Sequence, residues 1–174
     1  EPIERATSRF AGSARPSPVT VEARDGTLLH SWLYRPPEGT PHTGAVVYLH
    51  GGPEGQERPG FSELFPPLLA AGISVLAPNV RGSGGFGRTF AHADDKGARF
   101  DAIDDVADCV RFLVDNSYAD VHRIGCAGWS YGGYLTLAAL TFHPDLFADV
   151  DPAATLAEID ARFSPVSVPG TWWI

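Results

Sequence analysis

Methionine is absent from the 174-residue chain, cysteine occurs only twice, and basic residues are scarce. Without methionine there is no initiator at Glu1, so a trimmed product or a piece of a longer protein is expected. Two cysteines cannot supply a disulfide framework. Cys109 and Cys126 fall in an expected helix and an expected buried strand, and both are read as reduced core residues, from which a cytoplasmic location follows. Lys and Arg total 13 against 21 Asp and Glu, a formal net charge of −8. Polyphosphate repels such a surface, so neither nucleic acid nor an anionic membrane is an expected partner. No apolar run reaches the ~18 residues of a membrane span, and the N-terminal stretch has no apolar signal core.

What remains is an ordinary globular composition, 44% hydrophobic and 20% charged, at a length suited to one domain with one core. Residues 1–18 are polar and aperiodic and read as a linker or arm. Val19–Ala23 and Leu28–Tyr34 flank Asp25-Gly26, a turn pair that marks a β-hairpin between two β-rich runs. Ala45–Leu49 and Ile73–Pro78 are short unbroken apolar runs, as strands covered on both faces show. A helix is expected over Ser62–Ala71, with Ser62 as N-cap and Pro66-Pro67 shortening or kinking it. Phe100–Val114 carries Phe100, Ile103, Ala107, Val110 and Val114 at helical spacing. Asp101, Asp104, Asp105 and Asp108 fall mainly on the other face and read as a solvated acidic surface, with no metal expected there. Strands alternating with helices after an antiparallel hairpin give an α/β fold, a mostly parallel sheet with flanking helices.

The chemistry gathers in one stretch. Ile124 and Cys126 read as the end of a buried strand and Leu135–Leu140 as a helix, with Gly128-x-Ser130-x-Gly132 between them as a nucleophile elbow. So tight a turn needs neighbours nearly free of side chains. It lifts the serine hydroxyl to the N-terminal end of a helix, where free N–H groups favour a developing oxyanion. Two further strings follow apolar strands: His50-Gly51-Gly52-Pro53, and Asn79-Val80-Arg81-Gly82-Ser83-Gly84-Gly85-Phe86-Gly87. The second lacks both the Gly-Lys-Ser/Thr ending of a phosphate loop and the spacing of a dinucleotide fingerprint, and no cofactor is expected.

Together with Gly128-Trp129-Ser130-Tyr131-Gly132-Gly133-Tyr134, these strings resemble the prolyl oligopeptidase family, most of all its dipeptidyl-peptidase and acylaminoacyl-peptidase branches. The resemblance covers about residues 19–150 and implies an α/β-hydrolase fold, C-terminally incomplete, with residues 151–174 a divergent tail. Phe147–Val150 starts like the next strand of the family, and Ala153–Phe163 reads as a short amphipathic helix. Residues 1–18 stand where the family connects a β-propeller to its hydrolase domain. The implied chemistry is acyl transfer on a peptide or ester substrate. Ser130 would be the nucleophile, the Gly52 and Tyr131 N–H groups the oxyanion hole, and Arg81 part of an internal ion pair. His50 precedes the serine in a fold whose order is serine, acid, histidine, and is given a structural role. Asp149, Asp151 and Asp160 do not match the family acid, nor His143 the base, and substrate-binding residues are unknown.

Three readings stand at this point: a serine peptidase or esterase whose remaining parts lie outside this chain, an esterase with a rearranged site, and an inactive relative that binds a partner. The apolar Trp172-Trp173-Ile174 would serve as the contact in the last. An exposed edge of a truncated sheet is also expected to favour self-association.

Overall fold

In the computed structural model, residues 15–60 and 62–147 are described. The strand expected from Phe147 to Val150 lies outside them beyond its first residue. So do the helix expected over Ala153–Phe163, the Trp172–Ile174 end, and Asp149, Asp151 and Asp160. Strand β1 (Ser17–Glu22) pairs antiparallel with β2 (Leu28–Tyr34), Val19 opposite Ser31. The hairpin turn closes on Ala23 and Thr27, with Gly26 at φ 85° and the Asp25 carboxylate accepting the Thr27 N–H at 3.0 Å. A residue with a side chain adopts that φ at a cost, which is why Asp-Gly was legible as a turn.

With strands β3 (Gly44–Leu49), β4 (Ile73–Pro78) and β5 (Ile124–Gly128) the described residues form a sheet of five strands in the order β1-β2-β4-β3-β5. Here β3 is parallel to both β4 and β5, and β2 runs against its neighbours. Side chains alternate across the sheet with period two. Leu29, Leu33 and Leu76 join one core cluster with the long helices, whereas Tyr34, Val75 and Ala77 pack with Phe65 and Leu69 on the other face. The result is three layers, helix on sheet on helix.

Helix α1 (Phe65–Ala70) is only six residues long, with Leu64 at its N-cap and proline in its first turn. Ser62 therefore lies outside the helix, where its hydroxyl accepts from the Leu64 N–H at 3.3 Å. Pro66 and Pro67 lack the N–H groups a longer helix would need, and they fit only positions whose N–H has no intrahelical partner. After a short α2 (Arg88–Ala91) comes α3 (Arg99–Asp115), the longest helix described. Its acidic side departs from the sequence reading. Asp105 and Asp108 are 0% and 3% exposed, taken up by arginines from the loop after β4 and from the hairpin, while Phe100 is exposed. Helix α4 (Tyr131–Phe142) leads from β5 and ends at His143, whose Nε2 meets Asp104 Oδ1 at 2.8 Å.

Glu57, whose backbone is pinned by the Asn79 side chain, has its carboxyl raised by burial to about 7. An unfolded glutamate titrates near ~4.3. The folded form therefore holds a proton more tightly, and the stability this gives is complete below the unfolded value and is lost as pH rises through about 7. Glu57→Gln should raise Tm at pH 8 by a few degrees and change it little at pH 4, as scanning calorimetry at both pH values would show.

Candidate active site

Because β3 lies between β4 and β5, the chain reverses its direction of travel across the sheet there, the position where open α/β folds bind ligands. The register sets Leu49 opposite Gly128, so the segments leaving the C-terminal ends of β3 and β5 emerge side by side. One is His50-Gly51-Gly52-Pro53 and the other Trp129-Ser130-Tyr131.

Ser130 is exposed and stands between β5 and α4 at φ 55°, ψ −115°. A serine in so sparsely populated a region costs about 1–3 kcal/mol, and the surroundings must enforce it. The enforcing parts are the glycines on either side. A Cβ on Gly128 would run into the Gly132 backbone, and a Cβ on Gly132 would run into the Leu49 carbonyl at the end of β3. The Trp129 N–H also bonds Leu49 O at 3.3 Å, and the Gly132 N–H bonds Trp129 O at 2.9 Å. The elbow is thus wedged against β3 with no room for side chains at the glycines.

Gly51 meets the elbow directly: a Cβ there would lie 3.2 Å from Trp129 O and 3.5 Å from Ser130 Cβ. Its carbonyl is turned away, accepting from His50 Nδ1 at 2.8 Å. In a trans peptide the N–H points opposite to the carbonyl, so the Gly52 N–H is directed away from the His50 ring. Neither that N–H nor the Tyr131 N–H has a hydrogen-bond acceptor among the described residues. Two backbone donors without acceptors among the described residues thus lie in the neighbouring segments that leave β3 and β5, and donors of this kind are what a tetrahedral oxyanion needs.

The remaining expected residues fall into place around this centre. The Gly51 carbonyl can only accept, so His50 carries its proton on Nδ1, and burial lowers its pKa and keeps the ring neutral. Nε2 then lies 2.9 Å from the Ser83 hydroxyl, whose single proton serves either that nitrogen or Val80 O at 2.6 Å. The His50 ring thus faces Gly51 and Ser83, and it makes no hydrogen bond to Ser130 among the described residues. His143 closes the far end of α4 on Asp104, and His92 sits beside Asp95 at the end of α2. Arg81 binds Asp105 and Asp25. Among the described residues no group of three or more His, Cys, Asp or Glu converges, and no helix is long and apolar enough to cross a membrane. Burial pushes both cysteine thiols up, Cys126 to about 12, so neither is a thiolate at neutral pH.

One residue at the site gave no signal in sequence. Asp94, in the polar segment after α2, is 2% exposed and accepts the Tyr131 hydroxyl at 2.6 Å. It belongs to none of the glycine-rich strings, and only the folded chain brings it to the elbow.

Comparison with known proteins places the chain in one family. The sequence profile of the prolyl oligopeptidase family matches residues 59–162. Dipeptidyl aminopeptidase BIII of Pseudoxanthomonas mexicana is 34% identical over 139 residues, which is 75% of this chain and 20% of that protein. Dipeptidyl peptidase family member 6 of Caenorhabditis elegans is 41% identical over 103 residues, 59% of this chain and 14% of the relative. Among solved structures, the acylaminoacyl peptidase of Pyrococcus horikoshii superposes with a TM-score of 0.71 at 28% identity, covering 83% of this chain and 23% of that one. The chain thus spans about a fifth or less of the length of these curated relatives.

Proposed function

The chain belongs to the prolyl oligopeptidase family of serine peptidases, and we propose that it carries the nucleophile and the oxyanion hole of an enzyme that hydrolyses peptide bonds by acyl transfer. The observation that carries this reading is the backbone of Ser130, held at φ 55° between two glycines, beside two N–H groups without acceptors. Ser130 Oγ attacks the substrate carbonyl, and the Gly52 and Tyr131 N–H groups receive the negative charge that develops on its oxygen. The serine proton passes to a base and from it to the departing amine; water then gives a proton to the same base, attacks the acyl group through the same charge distribution and releases it as the acid, with the proton returned to Ser130 Oγ. No described residue is assigned as the base that takes the serine proton or as the acid that orients it. Peptides as the substrate class follow from the family and from relatives named as dipeptidyl and acylaminoacyl peptidases.

A fluorophosphonate probe tests the nucleophile, because it reacts only with an activated hydroxyl. The native protein that carries this sequence should be labelled, with peptide mass analysis placing the adduct on Ser130. An adduct elsewhere, or none, overturns the assignment. The oxyanion hole has its own test. Gly52 sits at φ 152°, and a Cβ there would lie 2.5 Å from the Gly55 nitrogen. Gly52→Val must therefore move the loop that carries the donor, and kcat should fall by about 100-fold or more with KM little changed. Steady-state hydrolysis of a chromogenic peptide checks this, and an unchanged kcat would remove Gly52 from the role.

A further inference from the structure

Asp94 is almost wholly buried, and Tyr131 is the one side-chain hydrogen-bond partner it has among the described residues. Its carboxyl also packs flat on Gly82, where a Cβ would fall 2.6 Å from Cγ and 2.7 Å from each oxygen. The Tyr131 ring is held on other sides as well. It stacks on Tyr134 with centroids 5.6 Å apart, and the Arg99 guanidinium lies 5.8 Å from the centroid of each ring. We propose that Asp94 is a positioning residue for the oxyanion hole, fixing the Tyr131 side chain and through it the direction of the Tyr131 N–H. The inference rests on the assignment of Ser130 as nucleophile given above.

The Tyr131 N–H needs such a support. It is the first N–H of α4, so the helical ladder does not orient it. The peptide that bears it follows Ser130, whose strained φ and ψ would relax if that peptide could turn. A buried O–H···O bond to a carboxylate at 2.6 Å is among the stronger side-chain restraints. Burial, followed by the bond to Asp94, raises the Tyr131 phenol above its ordinary value, so it keeps its proton and donates throughout the neutral range. The glycine-rich loop under Asp94 also reaches the other donor. The Ser83 hydroxyl lies 2.9 Å from the His50 ring, His50 donates to the Gly51 carbonyl, and the Gly84 N–H bonds Gly55 O at 2.8 Å. One segment, residues 82–84, thus touches the supports of both N–H groups, and Asp94 is its link to the elbow.

The test uses the native protein that carries this sequence, with p-nitrophenyl butyrate as the probe. Asp94→Ala should lower kcat about tenfold with KM within about twofold. Tyr131→Phe should do the same, and the double variant no worse, since both changes delete one bond. Asp94→Asn keeps an oxygen that accepts from the phenol and should recover most of the lost kcat, which a role in stability alone would not reproduce. Tyr131→Phe decides the matter even where the Asp94 variants fail to fold, because it removes a single oxygen. Its kcat within about twofold of the parent overturns the proposal. So does an Asp94→Asn variant as slow as Asp94→Ala. Ser130→Ala, assayed alongside, separates the two claims. Retained turnover there removes the nucleophile itself, whereas silence there with parental rates in Tyr131→Phe removes only the role of Asp94.

Discussion

With Ser130 as the proposed nucleophile, Ser130→Ala should lower kcat by about 10⁵–10⁶-fold in the native protein while leaving it folded, because the attacking oxygen would be lost with no neighbour to replace it. The His50 imidazole, at the end of β3, is turned to Gly51 and Ser83. What survives is the small acceleration two backbone donors give a water attack. The conformation of Ser130 adds a second arm to this experiment. At φ 55°, ψ −115° an alanine is as strained as a serine, so Ser130→Ala should unfold close to the parent Tm. Glycine adopts that region freely, and Ser130→Gly should be the more stable variant by about 1–3 kcal/mol. An inactive yet stabilised Ser130→Gly would show strain held for catalysis. Parental turnover in either variant would place the chemistry elsewhere, and a Ser130→Gly no more stable than Ser130→Ala would remove the strain.

How far the sequence revealed this site depends on the range of the interactions involved. The elbow was legible because Gly128, Ser130 and Gly132 satisfy a local demand, a strand-to-helix turn pressed against β3, and such demands leave a fixed spacing. The Asp25-Gly26 hairpin and the apolar strands β3 and β4 were legible for the same reason. The acidic helix was misread because its pattern is local but its partners are not. Asp105 and Asp108 sit where a charged face ordinarily meets water, yet Arg81 and Arg24, 24 and 84 residues away in sequence, cover them. Phe100 fitted the apolar period and is nonetheless exposed, with its ring edge-on to Phe142 at 5.5 Å. Asp94 is the extreme case. Nothing in its neighbourhood distinguishes it from any polar loop residue until Tyr131 arrives beside it.

The same long-range logic makes Arg81 the side chain whose loss should cost most in stability. It emerges from β4 into the glycine-rich loop and meets Asp105 three ways: backbone N–H at 2.9 Å, Nε at 3.0 Å and a terminal nitrogen at 2.6 Å. Another terminal nitrogen holds Asp25 in the hairpin turn at 2.7 Å. The hairpin, the segment leaving β4 and α3 are joined at one guanidinium. Asp105 is fully buried, so Arg81→Met leaves a carboxylate without its cation where water cannot replace it. Removing one partner of a buried pair costs about 3–5 kcal/mol, and urea titration of Arg81→Met should show a loss of that size as a lowered midpoint with an unchanged slope. Arg24→Ala is the comparison. That side chain is 41% exposed, and Arg111 remains beside Asp108, so it should cost under about 1 kcal/mol. Arg81→Met combined with Asp105→Leu should regain much of the loss, since an apolar pair of similar volume leaves no unpaired charge. If Arg81→Met proves no more damaging than Arg24→Ala, the buried pair is not what holds the hairpin to the helix. If the double variant is no better than the single, the loss comes from the Asp25 contact and not from a stranded Asp105.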